Sequence, residues 1–238
     1  LFAAFLTRFA RAINLCSPIT GSRPVPNIDL LVLAILQGIT AFLPVSSSGH
    51  AILIPQFYCW PEQDAAMQVA IRLGTLLALL VYFWRDLLSM GQGALKVLRG
   101  KRDGRVRLIG LLLVGALPAA VAGYFVDVYL SAQLHDPRIV AGALIGFGLL
   151  LFIADRLGLT VRRIEHMSWG SALAIGVFQC LAFIPGASRM GTGMTIARLM
   201  GFERPDAARF SLLLSIPVIA GAGLYRGWTL LQVADPIM

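Results

Sequence analysis

Two apolar stretches of this chain break at a proline in nearly the same way. The first carries Ala41-Phe42-Leu43-Pro44-Val45-Ser46-Ser47-Ser48-Gly49-His50, the second Ala182-Phe183-Ile184-Pro185-Gly186-Ala187-Ser188-Arg189-Met190-Gly191. Each runs Ala-Phe-aliphatic-Pro, reaches a serine three residues after the proline and then a glycine, with Gln37 and Gln179 upstream. A proline inside a helix removes a hydrogen bond and clashes with the preceding turn, so neither stretch continues as one straight helix. With 58% hydrophobic and 13% charged residues, the chain reads as an integral membrane protein rather than a soluble domain. In lipid, a broken helix survives only where its freed backbone is buried in protein or lines a wet cavity. Paired breaks in two halves of a chain are how membrane proteins build a polar site at depth.

The expected fold is all-α: a polytopic membrane protein of inverted repeats with two re-entrant helix hairpins. Residues 1–27 read as an N-terminal extension, with Phe2, Phe5, Leu6, Phe9 and Ile13 on one face of an interfacial helix. Residues 28–238 form a single membrane domain, its first repeat at 28–130 and its second at 138–238, truncated at the C-terminus. Asn27 or Asp29 caps a helix that Pro44 ends, and His50 to Tyr58 supplies the return arm. Spans follow over 66–84, 108–130 and 138–154. Residues 169–184 enter and stop at Pro185, a short helix runs to Met200, and 207–231 form the last apolar segment.

Charge sets the orientation. Residues 85–107 form a basic loop with Arg85, Lys96, Arg99, Lys101, Arg102, Arg105 and Arg107, and Arg156, Arg162 and Arg163 mark a second. The positive-inside rule places both in the cytoplasm, so the net charge of +8 calls for no nucleic-acid partner. Cys16, Cys59 and Cys180 have no metal or disulfide spacing, and Cys180 reads as a packing residue.

The polar turns carry the chemistry. Ser46, Ser47, Ser48 and Gly49 offer hydroxyls and free N–H groups at a helix start, which suits an anion and above all phosphate. Gly186 and Gly191 allow close backbone approach, and Ser188 and Thr192 flank them. Arg189 offers a planar charged fork that matches phosphate oxygens. Its cost at membrane depth makes function the default reading, while Arg72 either joins it or snorkels. His50 can serve as nucleophile, general base or general acid, and Ser47 beside it as nucleophile. Gln37 and Gln179 read first as helix-bridging amides. No carboxylate lies in either turn, so no ligand set for a divalent cation is identifiable.

The stretch from Gln37 to His50 closely resembles the first signature of the bacterial undecaprenyl-diphosphate phosphatase family, also called the bacitracin-resistance protein family. Pro185 to Gly191 resembles its second, PGxSRSG, and Leu73-Gly74-Thr75-Leu76-Leu77-Ala78 and residues 208–217 look like further family segments. The resemblance covers residues 28–230. It implies an inner-membrane enzyme, its site facing the outer side of the bacterial cytoplasmic membrane, that hydrolyses undecaprenyl diphosphate to undecaprenyl phosphate and inorganic phosphate. That step recycles the lipid carrier for peptidoglycan and confers bacitracin resistance. By position, Ser47 and His50 match the catalytic serine and histidine, Ser188 and Arg189 the phosphate-handling pair, and Gln37 the residue that opens the first signature. The resemblance also implies a divalent cation, Mg or Ca. The chain departs from the pattern at Ala41, where the family has Glu, and at Met190, Gly193 and Arg72, where it has Ser, Thr and Gln or His. The expected partners are the polyprenyl diphosphate lipid and the membrane, and a homodimer is compatible with the sequence. A polyprenyl-phosphate transporter or flippase, or a degenerate low-activity relative, is the alternative.

Overall fold

The computed structural model describes residues 27–58, 60, 65–99, 105–129 and 136–234. The expected interfacial helix at 1–15, Cys16 and Cys59 lie outside them. The described residues form helices α1 (Asn27–Thr40), α2 (Ser47–Tyr58), α3 (Ala65–Tyr82), α4 (Trp84–Leu98), α5 (Arg105–Tyr129), α6 (Pro137–Leu157), α7 (Trp169–Gln179), α8 (Arg189–Leu199) and α9 (Arg204–Ala234). Short 3-10 turns cover Ile164–His166 and Cys180–Phe183. The β-structure among these residues is one isolated bridge, Arg162 with Phe202.

Local chemistry sets several boundaries. Asp136 caps α6 by accepting from the Arg138 N–H, and Pro137 takes the first helical position, where its missing N–H costs nothing. Ser168 caps α7 by accepting from Ser171 N at 3.1 Å. Within α5, α6 and α9, the segments Val106–Gly123, Pro137–Leu157 and Arg204–Thr229 are long and apolar enough to cross a membrane. Their outward faces suit lipid: Leu113, Leu117, Val121 and Phe125 recur every fourth residue on α5, each more than half exposed. The core gathers on α9, where Phe210, Leu213 and Leu214 pack with Met167, Ile175 and Phe202, all of them fully buried.

One expectation fails. The basic segment 85–107 begins as helix α4 rather than loop, and α4 turns 72° away from α3 at Phe83. Leu87 and Met90 pack into the core from one face of α4, while Trp84, Leu88 and Leu95 stay exposed. An amphipathic period was present in the sequence beneath the charges.

Two registers fix where the second break sits. Helix α7 lies beside α5 and runs the same way. Trp169 packs on Gly110, Gly176 meets the backbone of Gly115, and Phe183 reaches Gly123. The chain then turns at 184–188 and descends as α8. The entry and exit of this hairpin are tied together. Val161 N and Arg162 N both donate to Gly201 O (3.1 and 2.9 Å), and Glu203 N donates to Arg162 O at 2.9 Å. Helices α7 and α8 therefore start and finish at the basic end of the molecule, with their turn at the other.

Candidate active site

Each break is rebuilt as a capped helix start. Helix α2 begins at Ser47, and Ser46 Oγ accepts from Gly49 N at 3.2 Å. Helix α8 begins at Arg189, and Ser188 Oγ accepts from Gly191 N at 3.1 Å. The structural equivalents are thus Ser46 and Ser188, Ser47 and Arg189, Gly49 and Gly191, and His50 and Thr192. The shared proline obscures this register, because the second turn carries one extra residue between proline and cap. Gly186 takes up that length with φ +103°, where a side chain would be strained. A serine with a glycine three residues on was the signal common to both turns.

The two turns meet. A methyl group on Gly49 would lie 3.1 Å from Gly186 Cα, and one on Gly191 would lie 3.2 Å from Pro44 O. Helix α6 backs the junction. Leu144 closes on Gly49, while Val140 O and Ala143 close on Gly186. The two helix N-termini therefore lie side by side. Among the described residues no partner is recorded for the N–H groups of Ser47, Ser48, Arg189 or Met190. Two helix starts with free amides make an electropositive seat.

Side chains complete it unevenly. Ser46 is buried and shares a hydrogen bond with Ser48 (Oγ–Oγ 3.1 Å), so both hydroxyls are engaged within the turn. Ser47 Oγ makes no hydrogen bond to a described residue. His50 Nδ1 lies 2.6 Å from Ser46 O. A carbonyl only accepts, so Nδ1 carries a proton, and in the neutral tautomer it is Nε2 that holds the lone pair. Arg189 makes no hydrogen bond or ion pair to a described residue, and Arg72 of α3 is close enough for the two charges to interact. Thr192 is buried, and its hydroxyl donates to Arg189 O at 3.0 Å. Gln37 stands in the last turn of α1, where its carbonyl accepts from Ala41 N at 2.9 Å. His50 and Arg189 share a junction without bonding to one another.

Two buried polar residues belong to this end or to its support. Gln179 is 2% exposed, with neither amide atom paired within the described structure, and its Nε2 lies against Gly193 beside Ser211. Arg198, at the far end of α8, is 1% exposed and fully hydrogen-bonded. Sequence reasoning passed over Arg198, because all its acceptors but Phe202 O are about forty residues away.

The donor set does not suit a resident divalent cation. Serine hydroxyls, one imidazole and a guanidinium converge here without a carboxylate, and the described residues hold no cluster of three or more His, Cys, Asp or Glu.

The family model described as "Bacitracin resistance protein BacA" matches residues 30–237. The chain is 46% identical over 219 residues to undecaprenyl-diphosphatase 1 of Rhodospirillum rubrum, covering 89% of this chain and 77% of that one. It is 44% identical over 209 residues to the undecaprenyl-diphosphatase of Hahella chejuensis, with 87% and 77% covered. It is 46% identical over 196 residues to that of Desulforudis audaxviator, with 82% and 74% covered.

Proposed function

The chain belongs to the bacitracin resistance protein BacA family, and from that premise we propose that it hydrolyses undecaprenyl diphosphate to undecaprenyl phosphate and inorganic phosphate where the two turns meet. The observation that carries this reading is the contact of Gly49 with Gly186 and of Gly191 with Pro44, which sets two helix starts, Ser47, His50 and Arg189 around one seat.

The diphosphate head rests on the free amides of both helix starts. Arg189, with Arg72 beside it, neutralises the charge that spreads over the transferred phosphoryl oxygens. Ser47 Oγ attacks the terminal phosphorus while its proton passes to His50 Nε2. The bond from that phosphorus to the bridging oxygen breaks, and undecaprenyl phosphate leaves. His50 passes that proton to the departing undecaprenyl phosphate. Water then attacks the phosphoserine phosphorus, giving a proton to His50, which returns it to Ser47 Oγ as the Ser47 O–P bond breaks and inorganic phosphate departs. No step needs a bound metal, and the paired guanidiniums take over charge neutralisation that a cation would otherwise supply.

The reading extends to topology. Each turn belongs to a re-entrant hairpin, and the two hairpins enter the membrane from opposite sides as an inverted pair. The tied entry and exit of α7 and α8 support this. The site faces the outer side of the cytoplasmic membrane. Gly186 packs beside Val140 in the first turn of α6, whereas Arg156 lies sixteen residues on, ~24 Å away along the helix. Basic residues mark that far end as cytoplasmic. The undecaprenyl chain runs along the exposed apolar helix faces.

Purified protein in proteoliposomes with undecaprenyl diphosphate tests the proposal. Release of inorganic phosphate without transfer of lipid between leaflets is expected. Lipid transfer with no phosphate released would replace the hydrolase by a carrier.

A further inference from the structure

Among the described residues, the most completely satisfied charge takes no part in the chemistry above. Arg198 sits in the last turn of α8 and donates to Asp155 Oδ1 (3.0 Å), Asp155 O (3.2 Å), Gly158 O (3.0 Å), Leu159 O (3.5 Å) and Phe202 O (2.5 Å). Asp155 O and Gly158 O belong to the C-terminal end of α6, where helix carbonyls lack partners of their own. Gly158 lets the two ends touch, since a methyl there would lie 2.5 Å from Arg198 O. Asp155 is shared with exposed Arg204, which binds both its oxygens at 2.8 and 3.0 Å. Removing Arg198 therefore leaves the carboxylate paired.

Helix α6 touches the catalytic junction at its other end, through Val140, Ala143 and Leu144. It is a rail with the junction at one end and the Arg198 clamp at the other. Arg198 and Arg189 are nine residues apart on one uninterrupted helix, ~13 Å along its axis and on opposite faces. Fixing one end of so short a rod fixes the other.

We propose that Arg198 is a positioning residue for phosphoryl transfer: by locking the end of α8 to the end of α6, it sets the depth and rotation at which α8 presents Arg189 to the first turn. This rests on the hydrolase reading. Slippage of α8 misplaces a group that stabilises charge in the transition state, so it appears mainly in kcat. A purely structural role lowers the amount or melting temperature of folded protein and leaves the kinetics of each folded molecule intact.

The test is steady-state phosphate release, normalised to folded protein, for the parent and for Arg198→Met, Arg198→Lys and Asp155→Asn, with exposed Arg156→Gln as control. Arg198→Met loses on the order of 10–100-fold in kcat, as expected for an ångström-scale misplacement, with a smaller change in KM. Arg198→Lys, which keeps a donor for the carbonyls, recovers part of that loss, and Arg156→Gln stays at the parent value. A folded Arg198→Met with parental kcat overturns the inference. Should Arg198→Met not fold, parental kcat in both Arg198→Lys and Asp155→Asn overturns it equally. A parent that releases no phosphate sinks the hydrolase reading instead, so the two failures are distinguishable.

Discussion

The turn at 44–50 and the turn at 185–192 use one backbone device for two purposes. Both place a serine cap three residues before a glycine, and both open a helix whose first amides bond to no described residue. At the first helical position one offers the hydroxyl of Ser47, the other the guanidinium of Arg189. One turn later the first has His50, with its ring locked on Ser46 O, and the second has Thr192, bonded back to Arg189 O. Burial divides them too. Pro185 to Ser188 are all buried, whereas Leu43, Val45 and Ser48 are exposed. The second turn is the more buried of the two and packs against α6 at Gly186. The first is the more exposed. A helix start is a general anion seat, and on the proposed reading the residue at its first position decides whether it reacts or holds.

The largest expected effect comes from the charge. Arg189→Ala lowers kcat/KM for phosphate release by about 1,000-fold or more, the range seen when an arginine is removed from a phosphoryl-transfer site. His50→Ala costs roughly 100- to 10,000-fold. Near-parental rates in both would erase the division between a holding turn and a reacting one.

Stability sharpens the same contrast. Gly186→Ala forces a left-handed residue against the Val140 carbonyl and costs on the order of 3 kcal/mol. Gly49→Ala meets only tight contacts at 3.0 to 3.2 Å and costs less. Thermal unfolding in detergent ranks the two, and equal losses would deny that the second turn is the more constrained. Ser46→Ala and Ser188→Ala each cost about 1 kcal/mol as lost caps, whereas Ser47→Ala leaves the melting temperature unchanged and stops turnover. If Ser47→Ala destabilised and Ser46→Ala did not, the register aligning Ser46 with Ser188 would be wrong.

A smaller change probes the missing carboxylate. Ala41→Glu places an acid in the turn that ends α1, beside a site now without one. It raises turnover roughly tenfold and makes turnover more dependent on a divalent ion than in the parent. An unchanged rate with and without chelator would show that this acid is not what limits the chain. The least effect is expected at Gln179. Its amide makes no bond that an apolar residue of similar size would lose, so Gln179→Leu shifts stability by less than about 1 kcal/mol.

Much of this architecture could be read along the chain. Prolines 44 and 185 marked the breaks, and the expected spans at 108–130, 138–154 and 207–231 correspond to α5, α6 and α9. Those signals are local, and in lipid they are strong because backbone cannot remain unpaired. Three features escaped. Helix α4 was masked by its charges, although Leu87 and Met90 already carried a helical period. The true register of the two caps was hidden by one extra residue, which only the positive φ of Gly186 accommodates. The Arg198 clamp joins residues 43 positions apart, and no local pattern announces such a pairing. Of the site, the residue types were visible in the sequence, while the contact of Gly49 with Gly186 depends on how α6 seats both turns.

The central claim is that the two turns act on one phosphorus atom. Single-turnover phosphate release from undecaprenyl diphosphate by Ser47→Ala, Arg189→Lys and the double variant tests it most directly. Residues acting as a unit on one step are non-additive, so the double variant should be scarcely slower than the worse single one. Losses that multiply would mean that the serine and the arginine work independently, and that the two turns do not form one site.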